Sequence, residues 1–267
     1  MRVIDLADEH RDLFAKCLMD CSDLATAQDQ RVRAIVAELC AMASDKNRTG
    51  MARYGINVER AFGVSVFELR RIAKRLGTDH DLALALWATG LHEARLLAAF
   101  VDDPAKVTGR QMDAWARDFD SWDICDQACT SLFDQTPHAW AKAALWAKRD
   151  EEWLKRGGFA LLAGLAVHDK AATDRAFTKL LPLIAQAAFD DRNFVKKAVN
   201  WALRNMGKRN RALNRAAIAC AEKILASANR RAGGERGGDA GARAARWVAT
   251  DALRELSSGK IRARLRK

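Results

Sequence analysis

Proline is nearly absent: Pro104, Pro137 and Pro182 are the only three in 267 residues. With so few helix breakers, scarce β-branched runs and abundant alanine and leucine, the chain is expected to be helical almost throughout. The six cysteines (Cys17, Cys21, Cys40, Cys125, Cys129 and Cys220) contain no Cys-x-x-Cys pair. That excludes a recognisable disulfide framework and points to free thiols in a reducing compartment. The i,i+4 pairs Cys17/Cys21 and Cys125/Cys129 read most simply as packed apolar stripes. Histidines number five and none sits at ligand spacing, so neither a metal site nor a cofactor is expected. No apolar run approaches the roughly 18 residues of a membrane span. The first residues, MRVIDLADEHRDLF, are charged throughout and do not read as a signal peptide. The expectation is a cytoplasmic protein with no membrane association.

What the chain does have is a 49% hydrophobic content, ample for a core, and a formal net charge of +11. Such a balance suits a polyanionic partner, or less readily an acidic membrane surface. The charge is uneven. Residues 1–60 carry about as many acids as bases, whereas 191–231 hold eleven Lys/Arg against Asp191 and Glu222. Solubility does not require that asymmetry, but a binding face would produce it.

Periodicity predicts helices over 5–19, 26–44, 65–76, 82–89, 92–101, 108–119, 122–133, 139–147, 151–166, 174–188, 193–206, 211–228 and 244–257. The run Glu152-Trp153-Leu154-Lys155-Arg156 aligns with Asn193-Phe194-Val195-Lys196-Lys197 at an offset of 41 residues. Glu93-Ala94-Arg95-Leu96 is a looser echo. A period near 40 residues built from two helices is the HEAT/armadillo signature, predicting an all-α solenoid of degenerate repeats with a concave basic cleft. The expected organisation is a solenoid over 1–230, with 1–50 as an N-terminal helical extension. A flexible Gly/Arg linker follows over 231–243, then a C-terminal helix with a basic tail over 244–267.

Two constellations stand out. In Ser121-Trp122-Asp123-Ile124-Cys125-Asp126, helical spacing stacks the Trp122 ring and the Asp126 carboxylate on one face. That arrangement suits a site that meets a polyanion yet needs one fixed negative charge, although any solvated helix can show it. In 196–211, Lys197, Trp201, Arg204 and Lys208 share a face. A ring bordered by cations matches a nucleic-acid surface; equally, Trp201 can be core and the bases can snorkel around it.

Three runs together resemble the AlkD-like HEAT-repeat DNA glycosylases of alkylation repair. They are Trp-Asp-x-x-Asp at 122–126, Trp-Leu-Lys-Arg at 153–156 and Lys-Ala-Val-x-Trp-x-Leu-Arg ending at Arg204. Phe62-Gly63-Val64, followed by Glu68, Arg70 and Arg71, resembles the family's early helix junction. The likeness covers about residues 50–225, and it lies in the order and spacing of the runs, each of which is weak alone. It implies a cleft lined by Asp126, Trp122 and Trp201, with Arg156 on the DNA backbone; Lys155, Lys197, Arg204 and Lys208 are the neighbouring candidates for phosphate contacts. It further implies excision of cationic N3- or N7-alkylpurines from duplex DNA without base flipping, by a monomer with no obligatory protein partner. The alternatives are a non-catalytic HEAT module binding damaged or structured DNA, and a protein-binding scaffold.

The chemistry agrees with these residues. An alkylated purine is already cationic and leaves without a general acid, so the developing oxocarbenium is what needs stabilising. A carboxylate opposes that charge and can position water, and tryptophan faces favour a cationic sugar. The chain departs from the family at Ser121, where relatives can carry an aromatic, and at Gly157-Gly158, inside a predicted helix, which suggests a close backbone approach. Trp87, Trp115, Trp140 and Trp146 read as core. Tyr54 lies in a loop-like stretch that can approach DNA. His80, His92, His138 and His168 read as helix-end or surface residues, and Asp123 as a support for its helix or a neighbouring Arg.

Overall fold

The computed structural model describes residues 26–232 and 239–265. The helix expected over 5–19, with Cys17 and Cys21, lies outside them, as do 233–238 of the expected linker. Fifteen α-helices and one short 3-10 turn make up the described residues, with no strand among them. The fold is all-α and of the HEAT-like solenoid class. It divides into two compact units between Leu132 and Phe133.

The N-terminal unit holds α1 (Ala27–Ala41), α2 (Asp45–Arg53), α3 (Val66–Leu76), α4 (His80–Ala88), α5 (His92–Val101), α6 (Gly109–Arg117) and α7 (Trp122–Ser131). A capping box of Thr26 and Asp29 starts α1. Helix α5 is the centre: it packs on α3, α4 and α7, and eight of its ten residues are buried. Polar ties at a constant separation of 31 residues join successive elements: His92 Nε2 to Asp123 Oδ2 at 2.9 Å, Trp87 Nε1 to Asp118 Oδ2 at 2.8 Å and the Glu93 carboxylate to the Phe62 N–H at 2.9 Å. The fully buried Glu93 also accepts from the N–H groups of Gly63 and Val64. The Phe62-Gly63-Val64 junction is therefore built around a carboxylate whose charge is met by three backbone donors.

The C-terminal unit opens with the 3-10 turn Phe133–Gln135 and continues through α8 (Ala139–Trp146), α9 (Glu152–His168), α10 (Asp174–Thr178), α11 (Leu181–Ala187), α12 (Asn193–Gly207), α13 (Arg211–Ala232), α14 (Ala240–Leu256) and α15 (Gly259–Arg264). Helix α9 packs between α8 and α12, and α12 in turn packs on α13 and α14. The repeat offset is physical. Trp153 and Phe194, aligned in the sequence, have ring centroids 5.1 Å apart. Asn205 Nδ2 donates to the Ala163 carbonyl 42 residues back, at 3.1 Å, and Asn200 Nδ2 to that of Val248, 48 residues on.

Four boundaries differ from expectation. Helix α2 is additional to the helices that periodicity predicts. The helix expected over 174–188 is two, because Pro182 lacks an N–H and its ring clashes with the carbonyl four residues back, while fitting the first turn of α11. Helix α14 begins at Ala240 on an Asp239 cap, four residues early, and a further helix, α15, forms within the expected basic tail. Of the adjacent glycines Gly157 and Gly158 inside α9, the second has a clear reason. A Cβ on Gly158 would overlap the Ala147 backbone nitrogen and lie 2.8 Å from the Ala147 Cα, so α9 approaches the end of α8 backbone to backbone.

Candidate functional site

Trp122 opens α7, and Asp126 follows one turn later on the same helix, so their i,i+4 relation is realised. Both are half-buried, whereas Asp123, Ile124 and Cys125 between them point into the core. Three hydrogen bonds from one turn hold the start of this helix. The Trp122 Nε1 donates to the Tyr54 carbonyl at 3.0 Å, the Asn57 N–H donates to Ser121 Oγ at 2.8 Å, and Asn57 Nδ2 donates to Asp120 Oδ2 at 3.0 Å. The turn is a Schellman ending of α2: Gly55 (φ 75°) donates to the Ala52 carbonyl and Ile56 to that of Met51. A side chain other than glycine is strained at that φ, so the signal for the turn lay in Tyr54-Gly55. Ser121, where an aromatic was possible, is instead a buried acceptor.

The residue after Asp126, Gln127, ties α7 to α3. Arg70 Nη2 donates to Gln127 Oε1 at 2.9 Å and stacks 4.4 Å over the Phe100 ring. Tyr54 and Phe67 are among the most exposed aromatics, at 75% and 76%. Tyr54 thus offers its ring to solvent while its carbonyl orients Trp122. Asp123 faces inward, against His92. Burial alone would push the His92 imidazole down. The hydrogen bond with Asp123 and the charges of Asp123, Glu93 and Asp120 outweigh it and hold the pKa above its ordinary value.

The other predicted residues lie in the C-terminal unit. Trp201 is half-buried on α12, and Lys197, one turn before it, is exposed with no acidic partner among the described residues. Arg204 and Lys208 continue the same face but meet acids from α14. Arg204 Nη1 is 2.9 Å from Asp251 Oδ2 and its Nε 2.9 Å from Glu255 Oε2; Lys208 Nζ is 3.1 Å from Glu255 Oε1. Lys155 Nζ is 3.1 Å from Asp190 Oδ2, which also binds Arg192 at 2.6 Å. Arg156 is 5% exposed and donates from Nη1 to the Phe194 carbonyl at 2.6 Å. Little of that guanidinium is offered to a phosphate; what its geometry does is tie α9 to α12. Trp247 of α14, 42% exposed with Lys196 Nζ 5.7 Å from its ring centre, adds to this face an aromatic outside both sequence constellations.

The remaining tryptophans are structural. Trp87 and Trp115 stack with centroids 4.0 Å apart, Trp146 is buried, and Trp140 packs edge-on against Phe177 while donating to Asp169. The histidines expected at helix ends or the surface do stand at helix ends, and three of them also pair with carboxylates: His80 with Asp102, His92 with Asp123 and His168 with Asp134. His92 is at a helix end, as expected, but buried.

Comparison with known proteins places this architecture. The family model described as "DNA alkylation repair enzyme" matches residues 35–256. That span includes α14, beyond the stretch on which the sequence likeness rested. Among solved structures, one is similar with a TM-score of 0.65 at 20% identity, covering 72% of this chain and 82% of its own. It is described as "a new family of proteins related to the HEAT-like repeat DNA glycosylases with affinity for branched DNA structures". At that identity the likeness concerns the fold. No curated protein gives a significant match. With most of its length matched from α1 to the end of α14, the chain belongs to the DNA alkylation repair enzyme family.

Proposed function

We propose that this protein hydrolyses the N-glycosidic bond of cationic N3- and N7-alkylpurines in duplex DNA, leaving the damaged base unflipped. The observation that carries this is the Trp122–Asp126 pair, a carboxylate one turn beyond a ring whose N–H is pinned to the Tyr54 carbonyl. A positively charged purine is its own leaving group, so the protein needs to stabilise the sugar cation and orient water. One carboxylate about 4 Å from a unit positive charge contributes about 4 kcal/mol at an effective dielectric of about 20. That magnitude corresponds to about a thousandfold in rate. The Trp122 face supplies further attraction for a cation, and the family likeness assigns Trp201 the same role. Lys197, with the rest of the α12 basic face, would contact phosphates, giving an affinity that falls steeply with salt. The protein would act as a cytoplasmic monomer associated with the nucleoid.

The test is release of 3-methyladenine and 7-methylguanine from methylated duplex DNA. Wild type releases both, and Asp126→Asn lowers the rate by about 10²–10³-fold with unchanged duplex affinity. Equal release by both proteins removes Asp126 from the mechanism. A folded wild type that binds DNA but releases nothing supports the second reading, a non-catalytic binder of damaged or structured DNA. The affinity for branched DNA described for the structural neighbour favours keeping that reading.

A further inference from the structure

The α12 basic face does not end at Lys208. Beyond it, the ends of α9 and α12, the α9–α10 loop and α15 enclose an open recess of about 510 Å³, lined by Lys170, Lys208, Arg209 and Arg264 with Asp174 as its one acid. A second recess, of about 440 Å³, is lined by Arg211, Arg215 and Arg262 with no acid. Helix α15 supplies a cation to each. Part of this charge has a structural purpose. Arg209 donates to the carbonyls of Ala166, Asp169 and Ala172, closing the end of α9. Lys208 is paired with Glu255, and Arg211 Nε donates to the Leu265 carbonyl. The Asp174 carboxylate is engaged by Asn210 Nδ2 at 2.7 Å and neutralises no cation there.

Lys170, Arg215, Arg262 and Arg264 have no such purpose. All four are exposed and meet no acidic partner among the described residues. Two features make the placement of one of them, Arg215, costly to the folded protein. Arg211 and Arg215 are like charges at i,i+4 spacing, and they stand on the first turns of the 22-residue α13, at the positive end of its dipole, with no acid in that first turn. An arriving anion reverses the sign of both effects.

We propose that these two recesses form a phosphate-backbone site that continues the α12 face, so that DNA runs past the end of that helix and over α15. The partner is the sugar-phosphate backbone and not a base or a free nucleotide, because no aromatic lines either recess and both are open along their length. This inference rests on the reading that the chain binds DNA. It adds a place of contact that neither the Trp122–Asp126 pair nor the Trp201 helix requires.

The experiment is duplex binding by the full chain as a function of salt. Lys170→Gln, Arg262→Gln and Arg264→Gln are combined in one variant, and Lys46→Gln, Lys106→Gln and Arg110→Gln, exposed residues of the N-terminal unit, in another that sheds the same charge. Removing one phosphate-binding cation makes the slope of log K against log salt shallower by about 0.9. The first variant is expected to be shallower than wild type by about two to three, and the control by less than about one. Equal slopes for the first variant and wild type overturn the site, as does an equal change in both variants, which would mean diffuse attraction. Wild type that fails to bind duplex DNA at low salt overturns the DNA reading itself. That result is distinguishable, because the other two presuppose tight wild-type binding.

Discussion

Helices α7 and α12 carry the same device, a half-buried tryptophan with a charged residue a turn away, in opposite electrostatic settings. In the N-terminal unit the charge is a carboxylate, Asp126, and Arg70, which reaches the adjacent Gln127, also stacks on Phe100. In the C-terminal unit the charges are cations, and α14 brings Asp251 and Glu255 against two of them. Sharing a helix face therefore does not make residues equivalent: what packs on that face decides which charge remains for a ligand. Lys197 is exposed where Arg204 and Lys208 are neutralised, and Arg156, adjacent in sequence to Lys155, is buried.

The largest effect expected to challenge this contrast comes from Asp126→Asn, with base release slowed by about 10²–10³-fold. Next is the pair Arg156→Met and Lys197→Gln. Removing the Arg156 guanidinium breaks the charge-assisted hydrogen bond that ties α9 to the Phe194 carbonyl of α12, at a cost of about 1.5–3 kcal/mol in unfolding free energy. Since that side chain is buried, its salt slope for DNA should equal that of wild type. Lys197→Gln should do the reverse, leaving stability within about 0.5 kcal/mol and making the slope shallower by about 0.9. Denaturant titration and salt-dependent binding of both variants decide it. An Arg156→Met protein with full stability and a reduced slope would return that residue to the DNA interface.

A smaller effect tests whether the acids of α14 restrain the α12 face. Glu255→Gln frees Lys208 and leaves Arg204 with Asp251 alone, and Asp251→Asn leaves Arg204 with Glu255 alone; both cations are about one-third exposed or less. The ion pairs removed are worth about 0.2–1 kcal/mol each, so the variants stay folded. Duplex affinity should rise a few-fold in each, and a fall would show that the carboxylates hold Arg204 and Lys208 in the geometry that DNA needs.

Much of this was legible in the sequence. The helices, the 41-residue offset that places Trp153 against Phe194, and the shared face of Trp122 and Asp126 all follow from periodicity, which is local. Helix α2 was not legible, because in Asp45–Arg53 no residue is buried and periodicity had nothing to register. The Ser44 cap holds its start and Gly55 its end. The partners of Arg204 and Lys208 were not legible either, since Asp251 and Glu255 lie 47 residues beyond them and pairing at that range depends on how α14 packs. Arg156 shows the same limit: nothing in Lys155-Arg156 distinguishes the surface base from the buried one until α12 lies across it.

The smallest effect concerns pH, and it opposes the two units directly. In the N-terminal unit the His92 pKa is raised in the folded state, so the native protein holds that proton more tightly than the unfolded chain. The resulting stability is fully present below the unfolded histidine pKa of about 6.5 and is lost as pH rises through the higher folded value. In the C-terminal unit, burial opposes ionisation of Asp190, but hydrogen bonds from Arg192 and Lys155 overcome it and lower the pKa. That stability is present above the unfolded aspartate pKa of about 3.9 and is lost as pH falls through the lower folded value. Between about pH 6 and 8, amide exchange at α5 and α7 should therefore quicken with pH beyond its intrinsic base dependence, while that at α9 and α12 follows the intrinsic dependence alone. Asp123→Asn removes the partner that raises His92 and should abolish the excess in α5 and α7. If the excess survives in that variant, His92 is not its source.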